Sequence, residues 1–533
     1  MAKVLVSDSL SKEGLELLKQ AQGIEVEYKP GLNEEDLAKA LAGVDGLVIR
    51  SGSKVSAKVI EAADKLKVIG RAGIGVDNVD VKAASRRGII VMNTPTGNAV
   101  TTAEHALALL FSVARKIPLA SATMKEGKWE KKAFEGRELA GKTLGVIGLG
   151  NIGRIVADRA RGLRMNVVGY DPFMTAERAS ELGIELVTLD ELFKRSDAIT
   201  VHTPLTAETK GLVNDTTIAK MKKGVLLVNA ARGGIYDEAA LVRGLDSGQI
   251  GGVGLDVFPE EPPGLTDIVK HPKAVVTPHL GASTEEAQLR VAVEIAAQVV
   301  AYLQTGEISN SVNVPAVPRE MAPVLLPYLS LARSLGQFLS QVHTMRPRTI
   351  EIECAGEAAT VPTSPIVNAA LAGLLASSFD VPVNAVNAPL VAKDGGIEVR
   401  EQKTSQKKNE FSTLLTITVV AADGHKASVA GTLASDRTAR LVRWDKYEME
   451  AHLDGSILVV RNHDRPGVIG TVGTILGAAG INVSSMQMGL DKGAHEAAAL
   501  WALDSALPAA VLDQIRAAKE VKTASPVTIT RGE

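Results

Sequence analysis

Between Thr143 and Asp171 the chain reads TLGVIGLGNIGRIVADRARGLRMNVVGYD, and few folds accommodate that order of residue types. Thr143-Leu144-Gly145-Val146-Ile147 is an apolar run of strand length, Gly148-Leu149-Gly150-Asn151-Ile152-Gly153 follows at once, and Ile152, Val156 and Ala160 recur at helical spacing. Met165 to Tyr170 reads as a second strand that ends on Asp171. A strand, a glycine turn, a helix and an acid-ended strand within about 30 residues is the pattern of a dinucleotide-binding βαβ unit. Gly148 permits the tight turn, Gly150 lets the backbone approach a pyrophosphate, and Gly153 lets helix and strand pack closely. The N–H groups that open the helix, with Asn151 and Ile152, then face the phosphates with the positive end of the helix dipole. Asp171 accepts from the ribose hydroxyls and repels a 2′-phosphate, so NAD is favoured over NADP.

A chain of 533 residues suggests three or four domains of roughly 150 residues each. Hydrophobic residues at 45% and charged ones at 23% are ordinary for globular protein. The formal charge of −2 gives no ground for a nucleic-acid or membrane partner. One cysteine, Cys354, excludes an intrachain disulfide framework, and no Cys/His cluster suggests a metal. Asp8 and Lys12 interrupt any signal-like apolar start, and no run of ~18 apolar residues occurs, so a cytoplasmic location is expected.

Residues 1–98 repeat a strand–helix rhythm. Apolar runs at Val4–Val6, Ile24–Tyr28, Leu47–Ile49, Lys67–Ile69 and Ile89–Met92 alternate with helical patterns such as Lys12–Gln20 and Glu34–Leu41. This predicts a parallel sheet covered by helices on both faces. Ligands of open α/β sheets bind outside the carboxyl ends of the strands. Polar residues gather at those ends: Arg50-Ser51-Gly52, Arg71-Ala72-Gly73, and Asn93 through Asn98. On spacing alone Arg50 and Arg71 fit an anion site and surface ion pairs equally well. A long helical pattern, Ala99 to Ala120, leads into the glycine unit.

Beyond Asp171 four more apolar runs end in polar residues. Ala198–Val201 ends in His202-Thr203-Pro204, and Val225–Val228 in Asn229-Ala230-Ala231-Arg232-Gly233-Gly234. Val253–Leu255 ends in Asp256, and Ala274–Val276 in Thr277-Pro278-His279. By the strand-end rule these residues converge on the bound cofactor, which points to an enzyme. Ser283 and Glu286 have capping-box spacing, and a helix is predicted from there to about Gln304, stopped by Gly306. That helix returns the chain to the first lobe near Asn310 to Val314.

Pro315, Pro318, Pro323 and Pro327 mark a boundary. Residues 316–452 mix helical stretches (Val324–Gln341, Ile366–Ser377) with strand-like ones (Thr349–Glu353, Leu414–Val420) and carry no catalytic motif. From Gly455 the order is strand, helix, strand, strand, helix, strand: Ile457–Val460, Val468–Ala479, Ile481–Met488, Ala497–Leu503, Ala509–Ala518 and Val527–Thr530. That is the ferredoxin-like plan. The predicted fold is therefore α/β: a flavodoxin-like substrate lobe (1–98 with 282–315), a Rossmann-type lobe (99–281), an α/β intervening unit (316–452) and a ferredoxin-like unit (453–533).

Several motifs in order now carry a resemblance: GRAGIGVDN (70–78), NTPTGNAVTTAEHALALL (93–110), VIGLGNIG (146–153), VNAARGG (228–234), LDVFPEEP (255–262), TPHLGAST (277–284) and NHDRPGVIG (462–470). The chain resembles the D-isomer-specific 2-hydroxyacid dehydrogenases, in a long form with an intervening domain and a C-terminal ACT domain. The resemblance implies a catalytic trio of Arg232, Glu261 and His279. His279 would take the proton from the hydroxyl of a 2-hydroxy acid, Glu261 would stabilise the imidazolium, and Arg232 would hold the substrate carboxylate and developing oxyanion. His202 also ends a strand and is the competing histidine, while His105 on the long helix is expected to be structural. Glu260 is the alternative to Glu261, but the family glutamate directly precedes proline, as Glu261 does.

The cofactor contacts it implies run over the glycine turn, Asp171, Thr203, Ala230, Ala231, Arg232, Asp256, His279, Gly281 and Ala282, with Asp256 near the nicotinamide. Arg50, Ser51, Gly52, Arg71, Gly73 and Asn98 fall where the family holds substrate. The implied reaction is NAD-dependent oxidation of 3-phospho-D-glycerate to 3-phosphohydroxypyruvate, the entry to L-serine synthesis. L-serine is the implied effector, at Asn462, Asp464 and Asn482, in a homo-oligomer for which a tetramer is favoured. A purely structural pairing module is the alternative for the ACT unit. A hydroxypyruvate or glyoxylate reductase, or a non-enzymatic NAD and amino-acid sensor, is the alternative for the whole chain. Two residues depart from the family pattern: Ile74 stands where threonine is common, and Tyr236 where a smaller aliphatic residue is usual.

Overall fold

Five strands rich in β-branched residues open the chain: β1 (Ala2–Val6), β2 (Ile24–Tyr28), β3 (Gly46–Ile49), β4 (Val68–Arg71) and β5 (Ile90–Met92). In the computed structural model, which describes residues 1–533 except 316–320, 344, 377–381, 407–410, 492 and 531–533, they form a parallel sheet in the order β2-β1-β3-β4-β5. Val4, Leu5, Val6, Leu47, Val48 and Ile49 are wholly buried, as strands covered on both faces must be. One cover is the Glu285–Thr305 helix, whose Val291, Ile295 and Val299 pack with Val4, Val48 and Val68. Gly70 makes that approach possible, since a Cβ there would lie 2.6 Å from Val299. The N-cap of this helix is Thr284, which accepts from Ala287 N–H, and not Ser283 as the capping-box spacing suggested. Gly306, at φ 72°, ends it. The chain then re-enters the first lobe, where Val91 N–H donates to Asn313 Oδ1.

Seven more strands follow: β6 (Thr143–Ile147), β7 (Asn166–Tyr170), β8 (Glu185–Leu186), β9 (Ala198–Val201), β10 (Val225–Asn229), β11 (Ile250–Leu255) and β12 (Ala274–Val276). Their parallel order is β12-β11-β10-β9-β6-β7-β8, so the winding reverses between β6 and β9 and a crevice opens at their carboxyl ends. The single helix expected from Ala99 to Ala120 is two, Ala99–Arg115 and Ile117–Lys125, bent by 64° about Lys116 in the left-handed region. Pro118 is the cause: it has no N–H to give the Ala114 carbonyl, which accepts instead from Arg137 N–H.

The next sheet contains β13 (Pro347–Gly356), β14 (Glu398–Thr404), β15 (Thr413–Ala421), β16 (Lys426–Leu433), β17 (Ala439–Trp444) and β18 (Tyr447–His452), in the order β14-β13-β15-β16-β17-β18. Only β13 and β15 were foreseen. Of the prolines read as a boundary, Pro318 lies outside the described residues. Pro323 sits in the first turn of the Ala322–Val342 helix, where its missing N–H has no intrahelical partner, and Pro327 lies inside that helix. The helical reading of Ile366–Ser377 becomes a Thr363–Leu375 helix, with Ser377 outside the described residues.

The last sheet is β19 (Gly455–His463), β20 (Val483–Asp491), β21 (Glu496–Leu503) and β22 (Val521–Ile529), antiparallel in the order β20-β21-β19-β22. One face is covered by its own helices around Val472, Leu476 and Ile515. The other, with Ile457, Val459, Leu500 and Val527, shares one core with Leu335, Phe338 and Trp444 of the preceding unit. Gln337 and Gln341, one helical turn apart, bond the free edge of β22 at Thr530 and Thr528. No single helix among the described residues is long and apolar enough to cross a membrane.

Candidate active site

The glycine turn has the geometry its residue types require. Gly148 sits at φ 88°, and a Cβ there would lie 2.6 Å from the His202 carbonyl oxygen. Gly150 caps the Asn151–Gly162 helix with open space beside its Cα. A side chain on Gly153 would run into the Gly148 carbonyl, so helix and turn touch backbone to backbone. The first N–H groups of the helix have no acceptor within it and are available to an anion. Asp171 is pinned to the turn: Oδ2 accepts from Leu149 N–H and Oδ1 from Phe173 N–H, both at 2.8 Å. Each oxygen keeps a lone pair for a ribose hydroxyl.

Beside this turn, buried polar atoms stand without protein partners among the described residues: Thr203 Oγ1 and His202 Nδ1 at the end of β9, and Asn98 Oδ1 at the start of the Ala99–Arg115 helix. Orphaned polar atoms of this kind fit a cleft built for a polar ligand. NAD fits the donor and acceptor set. The His202 Nε2 meets Thr200 Oγ1 at 3.0 Å, and burial pulls its pKa down to about 3, so this ring is neutral and poorly suited to carry a proton.

Asp256 follows β11 directly. Its carboxylate is closed to solvent and accepts from Thr277 Oγ1 (2.6 Å), Leu280 N–H (2.7 Å) and Gly281 N–H (2.7 Å), with His105 Nε2 at 3.1 Å. It shapes the 277–281 loop, and His105 is indeed part of that support. The loop carries His279 at φ 54°, with Nδ1 2.7 Å from Glu261 Oε2. Glu261 Oε1 accepts from Phe258 N–H at 3.1 Å, so Glu261 and not Glu260 is fixed against the ring. Both members of the pair are partly exposed, and Nε2 of His279 has no protein partner among the described residues.

Arg232 follows β10, where Asn229 shapes the turn by accepting from Ala231 N–H and donating to the Arg232 carbonyl. Ala230 and Ala231 are buried beneath it. Gly233 has no room for a side chain against the Phe258 backbone, which draws the Arg232 and Glu261 segments together. Tyr236, the departure noted above, is buried and donates to the Val228 carbonyl at 2.9 Å, tying this loop to β10.

The first lobe brings its own cations. Burial, then the neighbouring Arg232 charge, pushes the Arg71 pKa down to about 10, which leaves it cationic at neutral pH. Arg50 adds to that field, and Asp77 and Asp8 oppose it. Arg71 Nε is buried without a hydrogen-bond partner among the described residues. Asp8 Oδ2 fixes the Arg50–Ser53 loop by accepting from Arg50 N–H (2.6 Å) and Ser53 N–H (3.0 Å), and Gly52 passes against the same carboxylate. Gly73, at φ 144°, leaves room for the Arg71 guanidinium. Sequence reasoning missed Asp8 and Asp77, although Asp77 lies inside GRAGIGVDN. In the C-terminal unit Asp464 and Asn482 are exposed, whereas Asn462 is buried and donates to the His463 carbonyl.

Comparison with known proteins agrees with this geometry. Residues 107–281 match the D-isomer specific 2-hydroxyacid dehydrogenase NAD binding domain, 324–445 the D-3-phosphoglycerate dehydrogenase intervening domain, and 456–520 the ACT domain. The chain is 41% identical to the D-3-phosphoglycerate dehydrogenase of Synechocystis sp., over 99% of its own length and 95% of the relative's. It is 41% identical to that of Methanocaldococcus jannaschii, over 99% and 100%. Among solved structures, a glyoxylate reductase from Paecilomyes thermophila aligns with a TM-score of 0.55 at 30% identity, covering 58% of this chain and 98% of that one.

Proposed function

The chain belongs to the D-3-phosphoglycerate dehydrogenases, within the D-isomer-specific 2-hydroxyacid dehydrogenase family, and from that premise we propose how its cleft works. It is an NAD-dependent oxidoreductase that converts 3-phospho-D-glycerate to 3-phosphohydroxypyruvate, the first step of L-serine synthesis. The observation that carries the mechanism is the 2.7 Å contact between Glu261 and His279 Nδ1, at the open end of the second sheet, with the Glu261 segment packed against Gly233, the neighbour of Arg232. NAD, when bound, supplies the acceptor for the hydrogen and two electrons that leave C2. His279 takes the C2 hydroxyl proton at Nε2, and the Glu261 carboxylate stabilises the resulting imidazolium. Arg232 offers its planar fork to the substrate carboxylate. Arg71 and Arg50 bind the phosphate, an anion that suits the buried Arg71 Nε, which has no partner among the described residues. In the reverse direction His279 returns the proton.

L-serine is the effector in this reading, bound by the ACT unit near Asp464 and Asn482 in a homo-oligomer, with a tetramer favoured. A cytoplasmic location accords with the reaction. Absorbance at the NADH band, with phosphoglycerate and NAD, tests the assignment. His279→Ala is expected to lose turnover by about 10²-fold or more while NAD affinity holds. Strong activity confined to glyoxylate or unphosphorylated hydroxypyruvate would move the substrate assignment to a related reductase. Phosphoglycerate binding with no NADH formed would favour a sensor.

A further inference from the structure

Arg232 is not held by its own lobe alone. Its Nη1 donates to the Ala231 carbonyl at 2.6 Å, and its Nε donates to Asp77 Oδ2 at 2.7 Å. Asp77 belongs to the other lobe, on the loop that follows β4. Nη2 lies against Gly75, where any side chain would collide with it. A guanidinium has five N–H donors. These contacts take one on Nε and one on Nη1, and leave both hydrogens of Nη2 beside the Gly75 backbone. We propose that Asp77 is a positioning residue that aims the Arg232 fork from across the cleft, so that Nη2 is presented to the substrate carboxylate when the two lobes stand at this separation. This rests on the reading of Arg232 as the carboxylate-binding group.

Two observations support it. Arg50, Arg71 and Arg232 form one cationic cluster, and of the two carboxylates that oppose it, Asp8 is already bound to backbone N–H groups. Asp77 is the carboxylate paired with Arg232 itself. Its side chain is also 65% exposed, and pairs so exposed contribute little to stability. The bond therefore matters through orientation: a fork swung away from its working angle binds the carboxylate yet fails to align C2.

Steady-state kinetics of the full chain with phosphoglycerate and NAD, comparing wild type, Asp77→Asn and Asp77→Ala, tests this. The fall in kcat is expected to be smaller in Asp77→Asn, which keeps an oxygen to accept from Nε–H, and about ten-fold or more in Asp77→Ala. KM for phosphoglycerate is expected to stay level or drop, because the pocket has lost a negative charge, while NAD affinity and Tm hold. Equal kcat in all three proteins would overturn the proposal, as would a loss of kcat that tracks a loss of Tm. If the wild type fails to turn over phosphoglycerate, the substrate reading fails instead. The same comparison on hydroxypyruvate with NADH, whose carboxylate needs the same fork, then still decides the role of Asp77.

Discussion

Two histidines end strands in the second lobe, and their surroundings give them opposite properties. His279 is partly exposed, paired at Nδ1 with a carboxylate and open at Nε2 among the described residues. His202 is held neutral by burial, its pKa pulled from 6.5 to about 3. The unfolded chain therefore binds a proton at position 202 below about pH 6.5 while the folded chain does not until near pH 3, and stability falls with pH across that window. From pH 7 to pH 5 this one group costs at most about 2 kcal/mol. His202→Asn removes the titration, so its urea midpoint is expected to change less between pH 7 and pH 5 than that of the wild type. Parallel declines in the two proteins would show that His202 is not responsible. Asp256 shows what sequence could not reveal at this scale. A carboxylate at a strand end reads as a ligand group, and only its four neighbours show that it also shapes the loop that carries His279.

At the scale of elements, the glycine turn and its helix work as one piece. Because Gly153 and Gly148 touch backbone to backbone, Gly153→Ala must push the helix off the turn and misplace the N–H groups meant for pyrophosphate. NADH fluorescence titration is expected to show about ten-fold weaker binding or worse, since shifts of about 1 Å carry penalties of that order. Gly162→Ala on the same helix meets open space and serves as the control. Equal affinities in both variants would remove the close-packing argument. This unit was legible because every position in it is constrained, and β9 matched its expected bounds since a doubly buried strand leaves a continuous apolar run. The Lys116 break was missed because helical periodicity continues in side chains on either side of Pro118 even where the backbone cannot. The strand β14, EVREQKT, was missed because it is a polar sheet edge, mostly exposed, with no apolar run to find. Arg232, Glu261 and His279 were visible at loop ends, whereas the Arg232–Asp77 pair links residues 155 positions apart and has no local signature.

Over the whole molecule, a continuous set of contacts joins the C-terminal sheet to the substrate lobe. Arg461 of β19 lies 4.2 Å from the Trp444 ring and reaches Asp445 at 2.6 Å, across the core shared by the last two units. The six-stranded unit in turn grips the first lobe through the 384–387 segment. Asn384 Nδ2 donates to the Gly88 carbonyl at 2.8 Å, Asn387 Nδ2 to the Arg86 carbonyl at 3.3 Å, and Val386 enters the apolar core beneath β4 and β5. These carbonyls close the helix that precedes β5, and β5 leads into Asn93 through Asn98 at the cleft. An effector on the ACT unit can alter the cleft only if it changes the relative free energy of two arrangements of this connection. Contacts alone establish a route, not a coupling, so the test must separate binding from its consequence. In Asn384→Ala, serine is expected to bind with calorimetric affinity within about two-fold of wild type, while the serine concentration needed to halve turnover rises by about five-fold or more. The rate without serine should not change, because the Asn384 side chain bonds to Gly88, Val386 and Asn387 and, among the described residues, to no cleft residue. Inhibition of the variant identical to that of the wild type would show that the signal bypasses this contact, and a wild type indifferent to saturating serine would remove the effector assignment altogether.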